Sequence, residues 1–363
     1  MRRLFDYIEQ ILAGVFQKID SSCNCDPSGL AYVRILSGIF FLAVYPPRWQ
    51  WIGEIPDSLF HPPILSLANL ISRFPSTSFL FTTELLATLS LFFVTLGYRT
   101  RISALLAALL YILNLNFVYS FGKIDHSIML PVTLLCLAFT NAGHTLALRK
   151  DRFIDPKIER LSLSFFGVCI AFGMFSAGFA KFIWWLDFDL TSSGFLSWYY
   201  PNYYMYCKQD LLASWIPAIP QVSIEIAEYM VVFLEISGMI WIVVSERTWK
   251  YWLFGLCIFH LATHLTLNIA FTGHVIVYGI FLLSPIGRVK LSWRKRTKQM
   301  LLYVFGGVSL GVILLRLCEV FVGKVLLDFQ GISIYGPLLL WGTMISVSFV
   351  LLFRHQNTLK AVK

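Results

Sequence analysis

Ten apolar stretches, near residues 30–46, 78–97, 102–120, 126–147, 161–183, 226–245, 249–266, 270–286, 299–322 and 330–353, recur along this chain of 363 residues. Each has roughly the 17–25 residues that a helix needs to cross a bilayer. Inside lipid the backbone must satisfy its own N–H and C=O groups, which a helix does within one segment. The expected fold is therefore all-α: a polytopic transmembrane bundle of about eight to ten spans. With 57% hydrophobic and only 13% charged residues, and a mean hydropathy of +0.70, the chain lies far outside the composition of a soluble domain.

A net charge of +9 would suggest nucleic acid in a soluble protein, but in a membrane protein Lys and Arg first set topology. With a cytoplasmic N-terminus, 21 of the 29 Lys and Arg fall in inner segments, chiefly residues 1–29, 148–160 and 287–298. The outer segments hold six: Arg48, Arg73, Lys123, Lys181, Lys208 and Lys324. The positive-inside rule explains the basic excess, so no nucleic-acid partner is expected, and both termini are placed on the cytoplasmic side. This assignment needs a turn between Asn268 and His274. One long helix over 249–286 would put the six basic residues of 287–298 outside.

The N-terminal sequence "MRRLFDYIEQILAGVFQKID" alternates apolar and charged residues at helical spacing and has no continuous apolar core. It is expected to form an amphipathic helix on the cytoplasmic membrane face, not a removable signal. Of the seven cysteines, four fall inside spans, Cys23 and Cys25 lie on the reducing side and Cys207 is outside, which argues against a disulfide framework.

Ionisable residues at membrane depth are costly, so each has either a partner in the bundle or a function. They gather at the outer ends of the spans. "FGKIDHSIML" sets Lys123, Asp125 and His126 between the third and fourth stretches, and Glu84 lies near the outer end of the second. Lys181 closes the fifth, Glu225 and Glu228 open the sixth, and His264 and His274 flank the next outer turn. Between the fifth and sixth stretches runs a long outer segment, from "FAKFIWW" to "SWIPAIP", with four Trp and five Tyr. Two readings of it are compatible: an interface belt, as for Trp184 and Trp185, and an aromatic lid over a hydrophobic cavity.

Each candidate also has a plain structural reading. Lys181 precedes a Trp pair, where a lysine often snorkels to the headgroups. His126 can bond a carbonyl or Asp125, and Glu84 and Arg34 can be structural polars. His260 and His264, four apart in "FHLATH", share a helix face at a spacing that can hold a metal. Two imidazoles are a weak signal, and the remaining histidines form no further clusters, so no metal is expected. No Gly-rich phosphate loop, GxSxG or CxxC occurs.

The arrangement resembles the horizontally transferred transmembrane domain family, whose best understood relatives are the vitamin K-dependent γ-glutamyl carboxylases. The resemblance covers roughly residues 28–290. It rests on "YVRILSGIFFLAVY", "LGYRTR", "DHSIMLPVTLLCLAF", "FSAGFAKFIWWLDFDLTSSGF" and "FHLATHLTLNIAFTGHV", in that order. It implies three parts: a cytoplasmic amphipathic segment, 1–29; a carboxylase-like transmembrane domain, 30–290; and two further helices with a tail, 291–363. It also implies a reduced vitamin K or menaquinol-type quinol as cofactor, Lys181 as the base that deprotonates it and His126 as an auxiliary in the carboxylation step. Lys123, Asp125, Glu84, Glu225, Glu228, His260, His264, Trp184 and Trp185 would line the substrate or cofactor pocket, with His126 facing Lys181.

In the carboxylases the oxygenated cofactor removes a proton from a glutamate side chain, and the carbanion takes up carbon dioxide. They continue into a large non-membrane domain that holds the protein substrate, whereas this chain continues with two apolar stretches. Its length resembles more closely the small bacterial members that mature a secreted peptide toxin. The expected function is therefore quinol-dependent modification of a peptide or small molecule at the outer face of a bacterial cytoplasmic membrane. The alternative is a non-catalytic membrane factor for maturation, export or immunity of a secreted peptide. Lipid, the quinol and that peptide are the expected partners.

Overall fold

The computed structural model describes residues 2–122, 124–187, 189, 191–288, 295–322 and 334–360. These residues are mostly helical and form no strand. The α-helices are α1 (Arg2–Ser22), α2 (Pro27–Ala43), α3 (Thr77–Leu96), α4 (Thr100–Val118), α5 (Met129–Ala138), α6 (Pro156–Trp185), α7 (Gly194–Tyr200), α8 (Gln221–Ile236), α9 (Gly238–Val244), α10 (Glu246–Leu267), α11 (His274–Leu283), α12 (Lys295–Val322) and α13 (Tyr335–Lys360).

Every one of the ten expected stretches holds a helix, and among the described residues five helices have the length and apolarity to cross a membrane. They are α3, α4, α6, and the Met300–Cys318 and Tyr335–Phe353 parts of α12 and α13. The bent pair α8 and α9 makes a sixth, and α2, the His126–Ala138 segment and His274–Gly287 are shorter apolar helices. This is a multi-pass integral membrane architecture. The fourth stretch departs most from expectation. The α-helix in it ends at Ala138, and its 10 residues rise only about 15 Å against a hydrocarbon core of about 30 Å. Asn141 ends it by taking other partners: its backbone and side-chain nitrogens donate to the Glu159 carboxylate, and its Oδ1 accepts from Ile154 N.

The chain divides into two compact units. One comprises residues 25–162 and 284–329. In it α2 packs on α3, α3 on α4 and α4 on α5. Gly38 allows the α2–α3 approach, since a Cβ there would lie 2.1 Å from Thr95 Oγ1. The fully buried Arg34 reaches from α2 to the start of α4 and the loop after α5, donating to Thr100 Oγ1 at 3.4 Å and Leu146 O at 2.5 Å. Gly97 stands in the turn after α3 at φ +68°, where a side chain would collide with the Arg34 guanidinium. Arg34 is thus a structural clasp for the "GYRTR" turn.

The other unit comprises residues 1–24, 163–283 and 330–363. α1 exposes Phe5, Ile8, Leu12 and Phe16 along one stripe, as an interfacial helix would, and is tied to α6 by Ser164 Oγ donating to Asp20 at 2.5 Å. α8 and α9 meet at a bend of 53°. The cause is an inserted side chain: Trp252 Nε1 donates to Leu234 O at 2.8 Å, taking a carbonyl from the helical ladder, and its ring fills the space over Gly238.

α10 stops at Asn268, which adopts the left-handed conformation, φ 52° and ψ 34°, and α11 starts at His274. Residues 249–286 are therefore two helices. The asparagine tolerates αL and its side chain is used elsewhere, since Oδ1 accepts from Asp210 N and Nδ2 donates to Asp210 O. α13 packs on α10 and α11, with Trp341 Nε1 donating to Ala270 O at 2.8 Å.

Candidate functional site in the helix pair around Lys181

α8 carries three acids on one face. Glu225, Glu228, Val232 and Glu235 follow spacings of three, four and three residues, which stack along one side of a helix, and all four are buried. The three carboxylates have three different environments.

Glu235, deepest in the helix, pairs with Lys181 of α6: Nζ lies 2.5 and 2.6 Å from the two carboxylate oxygens. The lysine side chain keeps 20% of its exposure and the glutamate 3%. Gly178, one turn before Lys181, lets the helices come this close, since a Cβ there would lie 2.6 Å from Glu235 Cβ. The ammonium also lies 5.5 Å from the Trp185 ring centroid and 6.0 Å from that of Phe259. Two aromatic faces and one carboxylate thus replace the water that a lysine head otherwise needs.

Glu228 holds the start of α7, in the aromatic segment. It accepts from the Ser193 hydroxyl, from Gly194 N at 3.2 Å and from Phe195 N at 3.1 Å, closing the first turn of α7. Gly194 is packed so tightly on the Trp185 indole that a Cβ would sit 2.1 Å from it. Behind it Tyr199 is buried with Ala213, Ile216 and Leu267, and its hydroxyl donates to Ala213 O at 2.7 Å. In the exposed turn before α7, the Ser192 hydroxyl and the Asp189 N–H hold the Asp187 carboxyl below its usual range. The aromatic segment is thus a built element, while Trp184, 76% exposed, has the position of an interface residue.

Glu225 has neither kind of support. Both its oxygens are buried without a hydrogen-bond partner.

The histidines of "FHLATH" separate. His260 Nε2 shares a 2.8 Å hydrogen bond with the Tyr278 hydroxyl, whereas His264 Nε2 lies 2.9 Å from Ile334 O. Around His260 stand His274, Phe271 and Trp341, with ring centroids at 5.0, 5.0 and 5.3 Å. Among the described residues no three His, Cys, Asp or Glu side chains converge as metal ligands.

Glu84, Asp125 and His126 belong to the other unit. Glu84 accepts from Trp49 N at 2.9 Å and from Gln50 Nε2 at 3.3 Å, tethering the turn after α2. Asp125 accepts from Ser127 N at 2.8 Å, and His126 is exposed on the short turn that this bond caps. Lys123 lies outside the described residues. The groups that close around Lys181 come from its own unit, and the sequence reading had passed over the principal one, Glu235. Its signal was available: it is the acid in the apolar run "VVFLEISGMIW".

Comparison with protein-family models, with curated proteins and with solved structures finds no match to this chain.

Proposed function

We propose that the chain is a membrane-embedded enzyme, dependent on a quinol-class cofactor, that modifies a peptide or small molecule from the extracytoplasmic side. The observation that carries this reading is the Lys181–Glu235 pair. Nζ lies within hydrogen-bond distance of both Glu235 oxygens, the geometry that a proton transfer between them requires. In a low-dielectric setting the ion pair loses much of its advantage over the neutral amine and carboxylic acid, because two charges must be kept out of water. Glu235 thereby acts as the store that takes the proton of Lys181 and leaves a free amine. That amine accepts a proton from a bound hydroxyl, and Glu235 holds its own proton until the site is reset.

The residues present suit a quinol head. Trp185 and Phe259 offer flat apolar faces beside Lys181 Nζ. When bound, such a cofactor supplies a weakly acidic hydroxyl and the reducing equivalents of the reaction. The chain supplies the base, the apolar walls and a lid anchored on Glu228.

The test is Lys181→Arg, assayed by quinol-dependent product formation or by maturation of the partner peptide, at matched expression and melting temperature. A guanidinium keeps the pair with Glu235 but does not give up its proton, so activity should be lost while the fold survives. Full activity in Lys181→Arg would remove the acid–base reading and leave the non-catalytic factor as the better one.

A further inference from the structure

Of the three acids on the α8 face, Glu235 has a cation and Glu228 has three neutral donors. Glu225 is 3% exposed, has no partner for either oxygen, and stands one turn from Glu228 within reach of its charge. A buried carboxylate without a donor is among the most costly arrangements a protein can hold, and next to a second carboxylate it is costlier still. Such a group either takes up a proton or is completed by something outside the chain, and only the second keeps its charge.

We propose that Glu225 is a binding site for an organic cation, the guanidinium or ammonium group of a peptide side chain, which enters beside the lid and completes the outer end of the α8 carboxylate row. The charge balance selects the sign of the ligand, because neither Glu225 nor Glu228 has a cationic partner among the described residues. The chemistry selects its form. A carboxylate's two oxygens match the two parallel N–H donors of a guanidinium, or two of the three of an ammonium, and both Glu225 oxygens lack a donor. This site concerns substrate capture and stands without the quinol chemistry: it needs no turnover and no cofactor.

The experiment uses the full chain in phosphatidylcholine nanodiscs, which carry no net lipid charge. Two probes are titrated, acetyl-Leu-Arg-Leu-amide and the same peptide with citrulline, the neutral isostere of arginine, with empty nanodiscs subtracted. The arginine peptide should bind about tenfold tighter or more, the worth of one charge-assisted contact. Glu225→Gln should abolish that preference at a melting temperature no lower than that of the unmutated protein, and Glu225→Asp should keep part of it. Equal binding of the two peptides by the unmutated protein would overturn the proposal, as would a preference that survives Glu225→Gln. Displacement of the arginine peptide by potassium at equal concentration would make an inorganic ion the occupant and equally overturn it. Should Glu225→Gln not fold, the infrared spectrum of the unmutated protein decides: peptide binding shifts a carboxylate band if the proposal holds, and an unchanged carboxylate region sinks it.

Discussion

Removing Lys181 alone should destabilise the protein far more than removing Lys181 and Glu235 together. In Lys181→Met the Glu235 carboxylate, 3% exposed, is left in an apolar setting without its partner. Breaking a buried pair in this way costs about 3–5 kcal/mol. The orphaned carboxyl has one escape, to take a proton from the buffer, which from an ordinary glutamate value of about 4.3 costs roughly 3.7 kcal/mol at pH 7. The expected loss is therefore about 3–4 kcal/mol, or roughly 7 °C at about 2 °C per kcal/mol for a chain of this size.

Because the escape is protonation, the penalty should shrink by about 2.7 kcal/mol between pH 7 and pH 5. Glu235→Gln should cost less, about 1–2 kcal/mol, since the ammonium left behind is 20% exposed and lies beside two aromatic faces. In Lys181→Met/Glu235→Leu no charge remains and the volumes are close, so stability should return to within about 1 kcal/mol of the unmutated protein. The assay is the melting midpoint of purified protein in one detergent, for all four members of the cycle at both pH values. Single variants that each shift the midpoint by less than a degree, with additive effects in the double variant, would refute the buried pair.

Cys207, exposed after the lid turn, should react in intact cells with a membrane-impermeant maleimide, whereas Lys150→Cys in a Cys207→Ser background should react only after permeabilisation; the reverse pattern would invert the topology. Glu228→Ala removes the acceptor of three donors in the Ser193–Phe195 turn, so limited proteolysis between residues 186 and 206 should accelerate severalfold with the melting midpoint lowered by only a few degrees.

The helices were legible because their signal is carried by composition over many residues. A run such as "TSFLFTTELLATLSLFFVTL" has one way to satisfy its backbone in lipid, and α3 occupies Thr77–Leu96 almost as read. The turn between α10 and α11 was legible for a local reason, since "NIAFTGH" combines an asparagine that accepts αL with residues that interrupt the apolar run, and Asn268 is where the chain reverses. The fourth stretch was misjudged over its second half because "FTNAGHTLAL" is apolar enough on average to continue a span. What ends the helix is a tertiary bond set, Asn141 to Glu159 and Ile154, whose members lie 13 and 18 residues away. Hydropathy carries no trace of such partners.

The site divides along the same line. Lys181 was legible as an ionisable group closing an apolar helix, and the segment after it as an unusual aromatic run. Glu235 was passed over because the reading followed charges at the mouths of spans, where Glu225 and Glu228 stand, although helical spacing puts all three on one face. Which acid receives the lysine is decided by features invisible to spacing: the missing side chain at Gly178 draws α6 and α8 together at the level of Glu235, and the fold of the lid onto Glu228 spends that acid on backbone donors. The third acid, Glu225, has no hydrogen-bond partner among the described residues. A carboxylate row in which one member binds an internal cation, one binds the lid and one binds nothing is poorly explained by stability alone, because replacing Glu225 with an apolar residue would remove a desolvation cost at no loss of contact. Stabilisation of the resting protein by Glu225→Leu, together with loss of the arginine preference, is the outcome that this reasoning requires.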